Sequence, residues 1–94
     1  MIEKTMFMFK SHPDYYWRER DGVKNNTVRE IDLDDDRFTN LIAWMETGWN
    51  DGDIKIHIQD GDNHKEFFER DIRDICIWNG FMIITWNDKL KGGK

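Results

Sequence analysis

The sequence predicts an α+β domain: a small, largely antiparallel β-barrel, closed or half-closed, of order β-α-β-α-β-β-β with two helices at its edge. Three observations carry this expectation. Residues 53–58, "DIKIHI", alternate apolar and polar side chains without a break, the period of a half-buried strand. Phe38, Leu41, Ile42 and Met45 recur at the i, i+3, i+4, i+7 spacing of one helical face. The dipeptides Asp60-Gly61 and Asn79-Gly80 separate the last three apolar runs and carry the chemistry of tight hairpin turns. Consecutive strands joined by such turns pair antiparallel, and closure protects the edges that remain.

Taken in order, "TMFMF" (5–9) is short, apolar and aromatic, and predicts the first strand. The first helix, over about 13–20, follows. Ser11 or His12 stands at its cap, Pro13 suits its first turn, Asp14 favours the dipole and Gly22 stops it. Tyr15, Tyr16 and Trp17 are consecutive, so at least one of them faces outward or lines a groove. "NTVREI" (26–31) predicts a strand with Val28 and Glu30 opposite Thr27, Arg29 and Ile31. Asp34 or Asp35 caps the second helix, neighbouring acids favour its N-terminus, and Gly48 suits the left-handed stop. Ile54, Ile56 and Ile58 then point inward, with Lys55 and His57 outward. "KEFFERDIRDICIW" is a long strand, bent where its alternation breaks between Ile72 and Ile75, and "FMIITW" (81–86) returns beside it. Residues 1–88 are expected to form one domain, and 89–94 a flexible tail.

Composition narrows the class. The chain has 94 residues, enough for one core. Its five Trp, six Phe and two Tyr make that core credible although 35% of residues are charged, since each aromatic buries about 150–250 Å². No apolar run is long enough to span a membrane. The start "MIEKTMFMFK" carries Glu3 and lacks a small-residue cleavage site, unlike a signal peptide. The lone Cys76, inside "ICIW", is expected to be a reduced, buried, structural thiol. These features fit a cytoplasmic protein, of a free-living cell or of a host during phage infection.

The net charge of −5 is uneven: residues 32–62 hold nine acidic and two basic side chains, whereas residues 10–30 hold five basic and four acidic. Metal and cofactor chemistry finds no support. His12, His57 and His64 have no ligand spacing, and "DGDNH" lacks the sixth-position Gly and distant Glu of a calcium loop. Ser11, the only serine, reads as a helix-start residue, and "KGGK" is not a phosphate loop. Arg18, Arg20, Lys24 and Arg29, by contrast, fall close to Tyr15, Tyr16 and Trp17. Basic groups contact phosphate and aromatics stack on unpaired bases. In "ERDIRD" the charges alternate along a strand, and cross-strand ion pairs are expected there.

The stretch "GVKNNTVR" (22–29) resembles the G-x-K-x-x-T/E-x-R signature of the ASCH domains, small relatives of the PUA fold. "GDIKIHI" is similar to that family's Gly-Asp strand, and "KEFFERDIRDI" to the strand after it, so the resemblance covers roughly residues 7–86. It implies a small PUA-like β-barrel whose cleft is lined by Lys24 and Arg29, and a single-stranded RNA or nucleotide-like ligand as partner. Lys24 and Arg29 would contact phosphate or polarise a base carbonyl, Thr27 would hydrogen-bond the ligand, and Tyr16 or Trp17 would stack on it. One bacterial branch of the family hydrolyses the acetyl amide of acetylcytidine with a lysine, a threonine and a glutamate. Lys24 and Thr27 match the first two, and Glu69 or Glu66 is the choice for the third. An enzyme of that kind needs a buried glutamate within hydrogen-bond reach of Lys24.

The chain also looks like small accessory proteins of bacteriophages. That likeness implies a different class: an acidic inhibitor of a basic host defence nuclease, mimicking nucleic acid. Asp34, Asp35 and Asp36 would supply the carboxylates, and Trp44 and Trp49 exposed anchors; Trp44 lies off the Phe38–Met45 stripe.

Overall fold

A computed structural model describes residues 5–87. Its elements are β1 (Met6–Ser11), α1 (Pro13–Arg20), β2 (Asn26–Glu30), α2 (Asp36–Thr47), β3 (Lys55–Asp60), β4 (Asn63–Trp78) and β5 (Phe81–Trp86). This is the predicted element order. The expected 89–94 tail lies outside the described residues.

The strands form one mixed sheet in the order β1-β3-β4-β5-β2. Three pairings are antiparallel and β1 runs parallel to β3. The 16-residue β4 is the spine: it pairs with β3 up to Asp71 and with β5 from Ile72 onward. A register shift between Ile72 and Asp74 marks the bend anticipated from the broken alternation. At the β4–β5 hairpin both Asn79 (φ 55°) and Gly80 (φ 82°) have positive φ, as a tight primed turn requires. No helix of the described residues is long and apolar enough to cross a membrane.

One face of the sheet builds the core. Phe7 and Phe9 of β1, Ile56 and Ile58 of β3, Phe68, Ile72 and Ile75 of β4, and Met82, Ile84 and Trp86 of β5 are buried there. Tyr16 of α1 and Phe38 and Leu41 of α2 complete it. Burying one such side chain is worth about 1.5–3 kcal/mol. Both helices start as the sequence suggests. His12 caps α1, its Nδ1 accepting the Asp14 amide, with Pro13 at the first helical position. Asp35 caps α2, and Gly48 (φ 77°) ends it.

One expectation is narrowed and another fails. Of the two forms expected, closed or half-closed, the closed barrel is excluded, because no backbone ladder joins the outer strands β1 and β2 among the described residues. The inward positions at that seam are polar: Ser11 on β1, Thr27 and Arg29 on β2. Arg29 spans the gap instead, donating through Nη1 to the Lys10 carbonyl (2.9 Å) and through Nη2 to Ser11 Oγ (3.1 Å). Arg37 adds a bond from Nη1 to the Met8 carbonyl (2.6 Å). The failure is Cys76, which is exposed. The irregularity at Arg73 leaves Ile72 and Ile75 both inward, so Cys76 falls on the outer face opposite Ile83.

Candidate functional site

The half-open seam is where the polar groups gather. α1 leaves β1 directly at Ser11, and its last turn brings Glu19 back against that serine. Glu19 is 2% exposed, an unusual burial for a carboxylate. Ser11 Oγ donates to its Oε1 at 2.8 Å, and Lys24 Nζ donates to its Oε2 at 3.1 Å. Lys24 comes from the turn after Gly22 (φ 87°), where its amide donates to the Arg18 carbonyl (3.1 Å). The chain continues through Ser11, which accepts from Arg29 Nη2, to Thr27, whose Oγ1 accepts from Arg29 Nε at 3.0 Å. Lys24, Glu19, Ser11, Arg29 and Thr27 thus form one continuous hydrogen-bonded network.

The network forms the floor of a cleft of about 260 Å³, with Lys10, His12 and Tyr15 among its other walls. The Lys24 ammonium lies 5.8 Å from the centre of the exposed Tyr15 ring. Several polar groups keep capacity for a ligand. Lys24 uses one described hydrogen bond of its three, and the Thr27 hydroxyl accepts from Arg29 and donates to none of the described residues. Burial pushes the Arg29 guanidinium below its ordinary pKa; Glu19 opposes that shift and nearby Arg37 adds to it.

Of the sequence-predicted site residues, Lys24, Thr27 and Arg29 meet in this cleft. Others do not. Tyr16 is fully buried and belongs to the core; its hydroxyl donates to Glu66 Oε1 at 3.2 Å. Burial, reinforced by Glu66, raises its pKa to about 12. Trp17 is partly exposed but is not part of the cleft wall, and carries the Arg20 guanidinium 5.0 Å from its ring centre. The ring available for stacking is therefore Tyr15. A helix turns about 100° per residue, so among three consecutive aromatics the middle one takes the core and its neighbours diverge.

The glutamates are also redistributed. Glu66 is taken up by Tyr16, and Glu69 sits on the outer face, with His57 Nδ1 2.9 Å from its Oε2. His57 is directed outward as expected, yet it is buried beneath Phe67, whose ring stacks on it at 4.6 Å. The carboxylate beside Lys24 is Glu19. In the sequence Glu19 stands between Arg18 and Arg20 and invites pairing with them; only its burial and Lys24 five positions on reveal it. Ser11, expected at the helix start, leaves the cap to His12, and its hydroxyl is free for the network.

In the acidic segment the cap is as expected and the exposure of the tryptophans is not. Asp35 caps α2 and grips Arg37 through both carboxylate oxygens. Asp34 and Asp36 are exposed. Trp44 and Trp49 are half-buried and packed against the core, and Trp49 Nε1 donates to the Ile72 carbonyl at 2.9 Å. Trp44 follows Leu41 by three positions, so it lies at the margin of the buried stripe and not on the opposite face. No group of three or more metal-ligating side chains occurs among the described residues.

Compared with protein-family models, with curated proteins and with solved structures, the chain finds no match.

Proposed function

We propose that the chain is an ASCH/PUA-like domain that binds a nucleoside-sized ligand in the cleft between α1 and the β1–β2 seam. One observation carries the reading: the Lys, Thr and Arg of the "GVKNNTVR" stretch converge with an exposed tyrosine on a single cavity. The cavity of about 260 Å³ lies just below the range of roughly 300–1,000 Å³ usual for small-molecule sites. That size suits one base or nucleoside better than a stretch of strand. Tyr15 offers a stacking face, Lys24 and the Thr27 hydroxyl offer donors to base carbonyls, and Glu19 holds Lys24 in place.

A second reading is favoured by Glu19. A buried carboxylate 3.1 Å from Lys24 Nζ is the acid–base partner that amide hydrolysis at this cleft requires. In such a reaction water adds to an acetyl carbonyl, the C–N bond breaks, and a proton passes to the departing amine, leaving acetate.

One experiment addresses both. Isotope-labelled protein is titrated with the four nucleosides, acetylcytidine and a short single-stranded RNA, and amide shifts are followed. Shifts concentrated at Tyr15, Lys24, Thr27 and Arg29 with nucleosides are the expected result. Shifts confined to Trp17, Arg18 and Arg20, or none, would overturn it. Acetate released from acetylcytidine by the wild type, and not by Glu19→Gln, would establish the hydrolytic reading; intact acetylcytidine would remove it.

A further inference from the structure

Arg29 presents an electrostatic problem that the cleft alone does not solve. The guanidinium is half-buried, and its three described hydrogen bonds all go to uncharged oxygens: Thr27 Oγ1, the Lys10 carbonyl and Ser11 Oγ. It makes no ion pair with the described residues, in a protein whose net charge is −5. Glu19 acts on it only at a distance, held off by the Ser11 hydroxyl between them. Burying a cation without a carboxylate is costly. Lys10, next to it, makes no described ion pair either.

These two cations face a second cavity, of about 350 Å³, lined by Met8, Phe9, Lys10, Arg29, Arg37 and Gln59. No carboxylate of the described residues is among those walls. Arg29 and Arg37 flank one ring, their guanidinium carbons 5.0 and 4.3 Å from the centre of Phe9. Asp35 offsets the charge of Arg37 from outside the cavity, Glu19 reaches Arg29 only across the Ser11 hydroxyl, and Lys10 makes no described ion pair. This second cavity adjoins the first, because Lys10 and Arg29 line both.

We propose that the 350 Å³ cavity is an anion subsite that takes the phosphate of a nucleotide whose base lies in the adjoining cleft. The assignment rests on the reading of that cleft as a nucleoside site. It makes the ligand a nucleoside monophosphate instead of a nucleoside. Two guanidinium groups offer planar donors that match phosphate oxygens, and Lys10 supplies a mobile point charge at the wall shared with the base.

The test compares cytidine, cytidine 5′-monophosphate and inorganic phosphate on the wild-type protein by calorimetry and by amide shifts. The monophosphate is expected to bind about tenfold or more tightly than the nucleoside at low salt, the scale of one charge-assisted hydrogen bond. That advantage shrinks as salt rises. Inorganic phosphate alone shifts Lys10, Arg29 and Gln59. In Lys10→Gln the ratio of monophosphate to nucleoside affinity falls toward one. Arg37→Gln lowers it too, but that change also removes the bond to the Met8 carbonyl, so the exposed Lys10 gives the cleaner variant. Equal affinity for cytidine and its monophosphate, or a ratio unchanged in folded Lys10→Gln, overturns the subsite and leaves the cleft reading standing. Phosphate binding without any nucleoside binding overturns the cleft reading, and the assignment of the anion to a nucleotide falls with it.

Discussion

The basic seam and the acidic segment make a useful pair. The segment from Asp32 to Asp36 carries the densest run of like charge in the chain, and two of its four acids serve local structure. Asp32 Oδ1 accepts the Asp34 amide, Asp35 caps α2 and holds Arg37, and Asp34 and Asp36 face solvent. The seam has as many charges, of both signs, drawn from β1, α1, the following turn and β2, and they are unevenly matched. Lys24 has a buried carboxylate; Arg29 and Lys10 have none among the described residues. The difference is one of setting: the unpaired acids Asp34 and Asp36 face open solvent, whereas the half-buried Arg29 lines a cavity wall.

The largest effect that would test this contrast is expected at Arg29. Arg29→Leu removes the three hydrogen bonds by which β2 holds β1 and Thr27. With each charge-assisted bond worth about 1.5–3 kcal/mol and solvent able to replace part of them, a loss of about 3 kcal/mol is expected. Chemical denaturation measures it. A loss below about 1 kcal/mol would show that the seam is held by packing, and that Arg29 is not its clasp.

Lys24 comes next, and here the structure changes what a simple substitution means. Lys24→Ala leaves Glu19 buried with no cation in contact among the described residues. Stranding one member of a buried pair costs about 3–5 kcal/mol, and the partial exposure of Lys24 lowers the expectation to about 1–2 kcal/mol. Adding Glu19→Gln to Lys24→Ala should restore most of that loss, since the amide needs no counter-charge. If the double variant is as unstable as Lys24→Ala, the pair is not coupled. Ligand binding is therefore best assessed in the Glu19→Gln background, where loss of the lysine does not also strain the fold.

What could be read in advance follows the range of the interactions. The hairpin at Asn79-Gly80, the α2 stripe and the helix caps depend on residues within a few positions; the sequence displays the first two and narrows each cap to two residues, of which the structure takes His12 and Asp35. The parallel pairing of β1 with β3 joins Phe7 to Ile56 across 49 positions, and no local pattern encodes it. The site divides in the same way. Lys24, Thr27 and Arg29 lie within one turn and strand, so their proximity was visible. Glu19 and Ser11 join them only because α1 folds back along β1, and Lys10 and Arg37 only because the sheet curls until its edges are an arginine apart. Cys76 and Trp44 mislead for a smaller reason: one irregular residue in β4 and one margin of a helical stripe move each side chain to a different environment.

The smallest effects belong to the acidic segment, and they sharpen the contrast from the other side. Asp35→Ala removes the α2 cap and the fork on Arg37, an expected loss of about 1–2 kcal/mol. Asp34→Asn and Asp36→Asn together change two exposed carboxylates that hold no described ion pair, and stability should move by less than about 0.5 kcal/mol. Thermal unfolding of the two variants measures both. If the surface pair cost as much as Asp35, the acids would be acting through their summed field on α2 and not through one cap. A field effect fades with added salt, whereas the loss of a cap does not. Repeating the unfolding at high ionic strength would therefore tell the two mechanisms apart, and would show whether the acidic segment is structural at one residue or along its whole length.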